Sequence, residues 1–219
     1  MNIHTALRMI NPAPAGGWTY PTGTYAHWWG DLLASGDWAD RTGAEHHATL
    51  VGSPTLSATD GMTCTVGKYA TLADTPTFAT GGTMCAWVYQ TQFASTRVAL
   101  GGWASANEYL LAVLSSGVVQ AGYGGTAAYS TGSLSLNTWH HIAMVWTGTH
   151  VIAYLDGVAG TPVAKSGSTS STQTFYIGTY QTTTLPFVGN ITDAMVIQAA
   201  QDADGIEYII DNSPGSKAA

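Results

Sequence analysis

The sequence predicts an all-β fold, a two-sheet antiparallel sandwich with one short helix near the C-terminus. Three observations carry that prediction. Short apolar runs recur between clusters of Gly, Ser, Thr, Asn and Asp along most of the 219 residues. Within the runs, side chains alternate with the period of two that a strand imposes. No heptad pattern or internal repeat is present. A chain of this length can bury roughly 70% of its unfolded surface in one core. A single domain over residues 26–213 is therefore expected, between an N-terminal arm at 1–25 and a C-terminal tail at 214–219.

Taken in order, residues 1–25 are rich in Pro, Gly and Asn with little periodicity, and read as an arm. Pro12, Pro14 and Pro21 restrict the free arm and so lower the entropy lost when it docks. Ile3, Leu7, Met9, Ile10, Trp18 and Tyr20 offer apolar anchors for a groove on a partner or a neighbouring copy. The other reading is that the arm folds back along its own sandwich as an extra edge strand.

The strand runs expected after the arm are 64–72, 83–91, 98–103, 109–114, 118–123, 140–146, 151–155, 173–178 and 191–197. The stretch NTWHHIAMVWTGTHVIAYLDGV at 137–158 shows how they are read. Adjacent His140 and His141 point to opposite faces of a sheet and cannot chelate one ion together. Ile142, Met144 and Trp146 share one face, while His141, Ala143 and Val145 share the other. Thr147 to His150 has turn composition, and Val151, Ala153 and Leu155 then alternate with Ile152 and Tyr154 as far as the tight-turn dipeptide Asp156-Gly157. This is strand, loop, strand and turn, with the histidines and tryptophans packed in or beside a sheet. Near the end, Asp202 and Asp204 precede Ile206, Ile209 and Ile210 in AQDADGIEYIIDNSPG, which suits one short helix.

Composition bounds the function. Charged residues make up only 9% of the chain, and six Lys plus Arg against a net charge of -7 leave no basic stripe for nucleic acid or an anionic membrane. The apolar stretch at the N-terminus is cut short by Asn11 and Pro12, so it is not read as a secretory signal. No run approaches the roughly 20 apolar residues that span a bilayer. A low-charge, Gly/Thr-rich surface without an export signal points to a virion or extracellular setting, such as a phage structural protein released by lysis. Its partners would be other virion proteins and copies of itself. Cys64 and Cys85 are too few for a disulfide scaffold and lack zinc spacing, so two separate buried thiols are expected.

Four stretches, in order, resemble the laminin-G-like branch of the concanavalin A-like lectin/glucanase jelly rolls. HWWGDLLASGDWADRTGAEHHATL at 27–50 is similar to the family opening of an aromatic strand, S-G, D-x-[ST]-G and H-[GA]-T-L. GTMCAWVYQT at 82–91 is similar to the strand ending in A-W-V. The stretch at 137–158 resembles the N-x-W-H-H-[IV]-A strand and the Y-x-D-G-V hairpin, and FVGNITDAMVIQAAQDADGIEYI at 187–209 resembles the closing F-x-G-x-I-x-[DE] strand with its terminal helix. The resemblance implies a concanavalin A-like jelly roll whose Trp139 and His141 are packing residues.

The resemblance does not supply an activity. Related catalytic jelly rolls place carboxylates together on one strand, because glycoside hydrolysis needs an acid and a nucleophile or base roughly 5 to 9.5 Å apart. Glu45, Glu108 and Glu207 lie in three different segments, and neither an E-x-D-x-x-E run nor a G-x-S-x-G elbow is present. The expectation is a protein that is not an enzyme. Many family members bind calcium where the D-x-[ST]-G loop meets the closing strand, which implies Asp40, the Gly43 carbonyl, Asn190 and Asp193 as ligands of a structural ion. Thr192 stands where the family carries the first acid of that strand, and turn hydrogen bonds from Asp40 are the other reading. No cofactor is otherwise required. Aromatic faces stack on sugar CH surfaces, and Trp103, Tyr123, Tyr129 and Tyr180 are the expected glycan contacts. The functions that follow are a virion structural or decoration protein, a stand-alone carbohydrate-binding module and, disfavoured by the scattered glutamates, a polysaccharide-degrading enzyme.

Overall fold

In the computed structural model, residues 18–32, 36–78, 80–103, 109–168, 174–181 and 184–217 are described. Their strands are β1 (Thr24–Leu32), β2 (Trp38–Asp40), β3 (Ala48–Val51), β4 (Thr55–Ser57), β5 (Gly61–Cys64), β6 (Tyr69–Leu72), β7 (Gly82–Gln90), β8 (Arg97–Trp103) and β9 (Tyr109–Val113). The chain continues with β10 (Val118–Tyr123), β11 (Thr126–Ser133), β12 (Trp139–Trp146), β13 (His150–Leu155), β14 (Val158–Ala159), β15 (Val163–Ala164), β16 (Thr174–Ile177), β17 (Gly189–Ile197) and the helix α1 (Ala203–Asn212). The pairings are antiparallel throughout the named strands.

Hydrogen bonding runs on from strand to strand, but the side chains divide them into two layers. The first layer runs β2-β1-β17-β7-β12-β13, with β5 also alongside β17. The second runs β3-β6-β16-β8-β9-β10-β11. Met84, Ala86, Ile142, Met144 and Trp146 from the first meet Leu100, Leu111, Val119, Phe175 and Ile177 from the second in one buried core. This is the jelly-roll sandwich that the alternating pattern predicts.

The first layer is apolar on its other face too. Cys85, Ala143, Val145, Met195 and Ile197 are covered there by Ile206 and Ile209 of α1 and by Trp18. The face assignments read from residues 141–146 therefore hold. Cys64 belongs to the inner core and Cys85 to the outer cluster, both are free and buried, and burial pushes both thiols up. Asp156 and Gly157 both take positive φ, 49° and 80°, the geometry of a tight hairpin turn.

Two expectations need correction. The run at 64–72 is two strands, because Lys68 N–H bonds back to the Thr65 carbonyl at 2.9 Å and folds the chain over. Strand β11 escaped notice because TAAYSTGS is built of small and polar residues without a run of large apolar ones. Contacts with the sandwich also reach past 26–213 at both ends. Trp18 is only 8% exposed, and the tail bonds back through Ser216 Oγ to the Ile210 carbonyl and through Lys217 Nζ to the Thr59 carbonyl.

Helix α1 starts where its sequence says it should. Asp202 caps it, accepting a hydrogen bond from Gly205 N–H at 2.9 Å. Asp202→Ala should cost about 1 kcal/mol and lower Tm by roughly 2–4 °C. An unchanged calorimetric midpoint would show that the cap contributes nothing.

Candidate functional site

With α1 on the first layer, the outer face of the second layer carries no helix among the described residues. Its register produces a continuous cross-sheet row: Thr49 opposes Thr71, Thr71 opposes Tyr176, Tyr176 opposes Gly101, Gly101 opposes Leu110, Leu110 opposes Gly122 and Gly122 opposes Ala127. Directly opposed residues share one face of a sheet. The row therefore sets an aromatic ring beside a floor of small residues. Leu110 lies over Gly122, where a Cβ would come within 3.0 Å of the leucine Cγ. Tyr69 packs beside Tyr176, with ring centroids 6.1 Å apart. On the same face, Tyr180 and Leu185 rest on the Val98, Leu110 and Ala112 cluster. Strand β11 adds Tyr129, at 46% the most exposed aromatic ring of the described residues.

The expected sugar contacts distribute unequally. Tyr180 and Tyr129 belong to this face. Trp103 enters through its backbone, which pairs with Thr174 at the end of β8. Tyr123 does not belong: it is 6% exposed, points into the core beside Trp146 at 5.5 Å, and has the Lys165 ammonium 4.8 Å from its ring centroid. Parity explains the correction, since Val119, Ala121 and Tyr123 all face the core while Gln120 and Gly122 face out. Sequence reasoning missed Tyr176, Leu110, Gly101 and Gly122. The signal was present as the alternation in TFYI and the paired glycines of β8, but only strand register joins them.

The expected calcium ligands are already occupied by the fold. Asp40 Oδ1 accepts from His27 N–H and Thr42 N–H, both at 3.0 Å, and Oδ2 accepts from Thr42 Oγ1 at 2.7 Å and His46 N–H at 3.2 Å. These are the turn hydrogen bonds of the alternative reading. Asp193 is buried at a register shift in β17, where it accepts from His27 Nε2 and from Ser213 Oγ just beyond α1. Asn190 lies opposite Tyr89 and Thr63, and Gly43 is exposed in the loop with φ 86°. Among the described residues, no three His, Cys, Asp or Glu side chains converge as a metal-holding group. A calcium ion wants six to eight oxygens, and both carboxylates are committed elsewhere, so these residues do not fit one as they stand.

The arm's last anchors dock on their own domain. Trp18 stacks on Tyr208 of α1 at 5.3 Å, Thr19 N–H donates to the Tyr208 hydroxyl, and Tyr20 donates to the Arg41 carbonyl at 2.9 Å. Neither a partner groove nor an edge strand is involved for these two. Residues 18–20 make no strand pairing and lie against the helix through the Trp18–Tyr208 stack. Ile3, Leu7 and Ile10 lie outside the described residues.

Two histidines of the 137–158 stretch have different roles. His140 bonds Asp156 Oδ2 through Nδ1 at 2.7 Å and Ser135 Oγ through Nε2 at 2.9 Å. This is the connectivity of a serine–histidine–aspartate relay, yet the Ser135 N–H also donates to Nε2 at 3.1 Å, which ties the loop before β12 to the hairpin turn. His141 is fully buried, edge-on to Trp87 at 5.5 Å, and neither ring nitrogen has a hydrogen-bond partner among the described residues. Burial pulls its pKa down to about 4, against the opposing pull of Asp193 and Asp156.

A sandwich with one face covered and the other lined by aromatic and small residues defines a lectin-like β-domain. The concanavalin A-like lectin/glucanases superfamily model of laminin-G type matches residues 65–207, and the chain belongs to that family. No curated protein matches it by sequence. Among solved structures, it is similar to domain 4 of AbnA, a GH43 extracellular arabinanase from Geobacillus stearothermophilus, in complex with arabinotriose. That likeness has 17% identity and a TM-score of 0.70, and covers 87% of this chain and 99% of that one. It is also similar to Trypanosoma rangeli sialidase, at 15% identity and a TM-score of 0.69, over 98% of this chain but 39% of that one. The receptor-binding domain of botulinum neurotoxin C/D mosaic serotype matches at 10% identity and a TM-score of 0.65, over 85% of this chain and 51% of that one. The chain thus spans well under two thirds of the sialidase and toxin chains. These likenesses show the fold. Among the described residues, no helix is long and apolar enough to cross a membrane.

Two measurements follow. The unfolded chain binds a proton at His141 more readily than the folded protein, so its stabilising effect is present above about pH 6.5 and is lost as pH falls toward about 4. In urea titrations, the native protein should lose about 3 kcal/mol relative to His141→Leu across that window, and parallel pH profiles would contradict the assignment. Asp40→Ala should leave buried N–H groups unpaired and cost about 2–4 kcal/mol, equally with millimolar calcium and with chelator. A calcium-dependent rise in Tm that this variant erases would restore the ion.

Proposed function

We propose that this domain is a non-catalytic glycan-binding module whose contact surface is the outer face of the second layer. The observation that carries the reading is the Thr49–Thr71–Tyr176–Gly101–Leu110–Gly122–Ala127 row. A sugar chain needs a strip where ring CH surfaces meet aromatic faces across an apolar floor. Tyr176, Tyr180 and Tyr129 supply the faces, and Leu110, seated over Gly122, supplies the floor. The arabinotriose carried by the similar arabinanase domain supports the class of ligand.

The non-catalytic part rests on the carboxylates. Asp40 and Asp193 are consumed by hydrogen bonds, Glu207 rides on α1 behind the first layer, and Glu45 is exposed at a loop beside Asp74. None stands on the row. The setting we propose is a virion surface or another extracellular surface, where the module attaches a particle to glycans. Its support is the low-charge, Gly-rich composition.

Affinity electrophoresis in gels containing linear arabinan, xylan or mixed-linkage β-glucan tests the reading. At least one polymer should retard the protein, and Tyr176→Ala should weaken that retardation roughly fivefold, the equivalent of about 1 kcal/mol for one aromatic face. Tyr208→Ala, on the opposite layer, should leave it unchanged. Retardation by none of the polymers, or insensitivity to Tyr176→Ala, would remove the site, and release of reducing ends would contradict the non-catalytic reading.

A further inference from the structure

We infer that the face selects uncharged glycans and rejects sialylated and uronic-acid glycans; the inference rests on the glycan-binding reading above. Recognition of a sugar carboxylate calls for a guanidinium or ammonium in the contact surface, preferably one free to meet it in bidentate or close geometry. Every described outward position of β3, β6, β16, β8, β9, β10 and β11 in the register is uncharged.

The five cations among the described residues are placed elsewhere, and Arg8 lies outside those residues. Arg41 lies over Trp29 at 5.3 Å and donates to the Trp29 carbonyl, on the first layer. Arg97 is buried, with Nη1 on the Pro186 carbonyl at 3.0 Å. Lys165 sits over the inward-facing Tyr123, and Lys217 over Trp139 at 5.0 Å on the first layer. Lys68 belongs to the β5–β6 turn, at a corner of the sheet.

Acids, by contrast, stand at the end of the row. Beside Thr49 and Thr71, the β3 and β6 strands run into a shallow cleft lined by Glu45, His46, His47, Leu72, Ala73 and Asp74. The Glu45 and Asp74 carboxylates face solvent there. An acidic polymer laid along the row would meet these two charges and a net charge of -7, with no compensating contact.

The test compares neutral polymers (linear arabinan, xylan, mixed-linkage β-glucan) with acidic ones (polygalacturonate, polysialic acid) by affinity electrophoresis of the intact protein near neutral pH, at low and at physiological salt. Neutral polymers should retard it and acidic ones should not at either salt. Gln120→Arg, which places one cation among the outward residues, should make the acidic polymers retard the protein measurably at low salt while keeping retardation by the neutral ones. Acidic polymers that retard the native protein as strongly as neutral ones, in a manner lost with Tyr176→Ala, would overturn the selectivity but keep the face. No retardation by any polymer would instead overturn the glycan-binding reading on which the selectivity rests.

Discussion

The whole arrangement depends on one constraint: the central strands β7, β12 and β17 are apolar on both faces and must be covered on both. Alternation puts Met84, Ala86, Ile142, Met144 and Val196 on one side and Cys85, Ala143, Val145, Met195 and Ile197 on the other. At roughly 25 cal/mol per Å² of apolar area, neither side can be left to solvent without a cost that exceeds the stability of a domain. The second layer covers one side. Helix α1, with Trp18 and the chain beyond the helix, covers the other.

That division of labour places the site. The covering pieces come from both ends of the chain and are secured by one polar bolt, in which Asp193 holds His27 of β1 and Ser213 beyond the helix. Once they lie on the first layer, none of them reaches the second layer's outer face. Apart from the small Val98, Leu110 and Ala112 cluster, residues facing outward there are free of core duty, and the row is built largely of glycines, threonines and a tyrosine. The inferred selectivity follows from the same economy of charge, since four of the described cations are held against aromatic rings or carbonyls away from that face.

Much of the fold was legible. Strands with large alternating side chains, such as WHHIAMVW in β12 and GTMCAWVYQ in β7, declare their faces by period alone, and Asp202 and its isoleucines declare the helix. Small-residue strands did not: TAAYSTGS lacks the large apolar residues that make a period visible. The site was legible only in fragments. Tyr180 and Tyr129 were expected, but Tyr176 and Leu110 acquire meaning only beside Gly101 and Gly122, and that adjacency is made by pairing among four separate strands. Tyr123 misled because composition cannot reveal parity. Asp40 and Asp193 were drawn together by family resemblance, whereas the fold links them through a histidine, His27, whose backbone serves one carboxylate and whose ring serves the other.

The central claim is that recognition happens on the face that no described helix covers. Amide chemical-shift mapping, with an oligosaccharide of whichever neutral polymer binds most tightly, tests it most directly. The account predicts that the shifted amides cluster at Thr71, Tyr176, Gly101, Leu110, Gly122 and Ala127, with the α1 side of the first layer silent. Shifts concentrated instead around Trp18 and Tyr208, or in the cleft of Glu45 and Asp74 without the row, would contradict it.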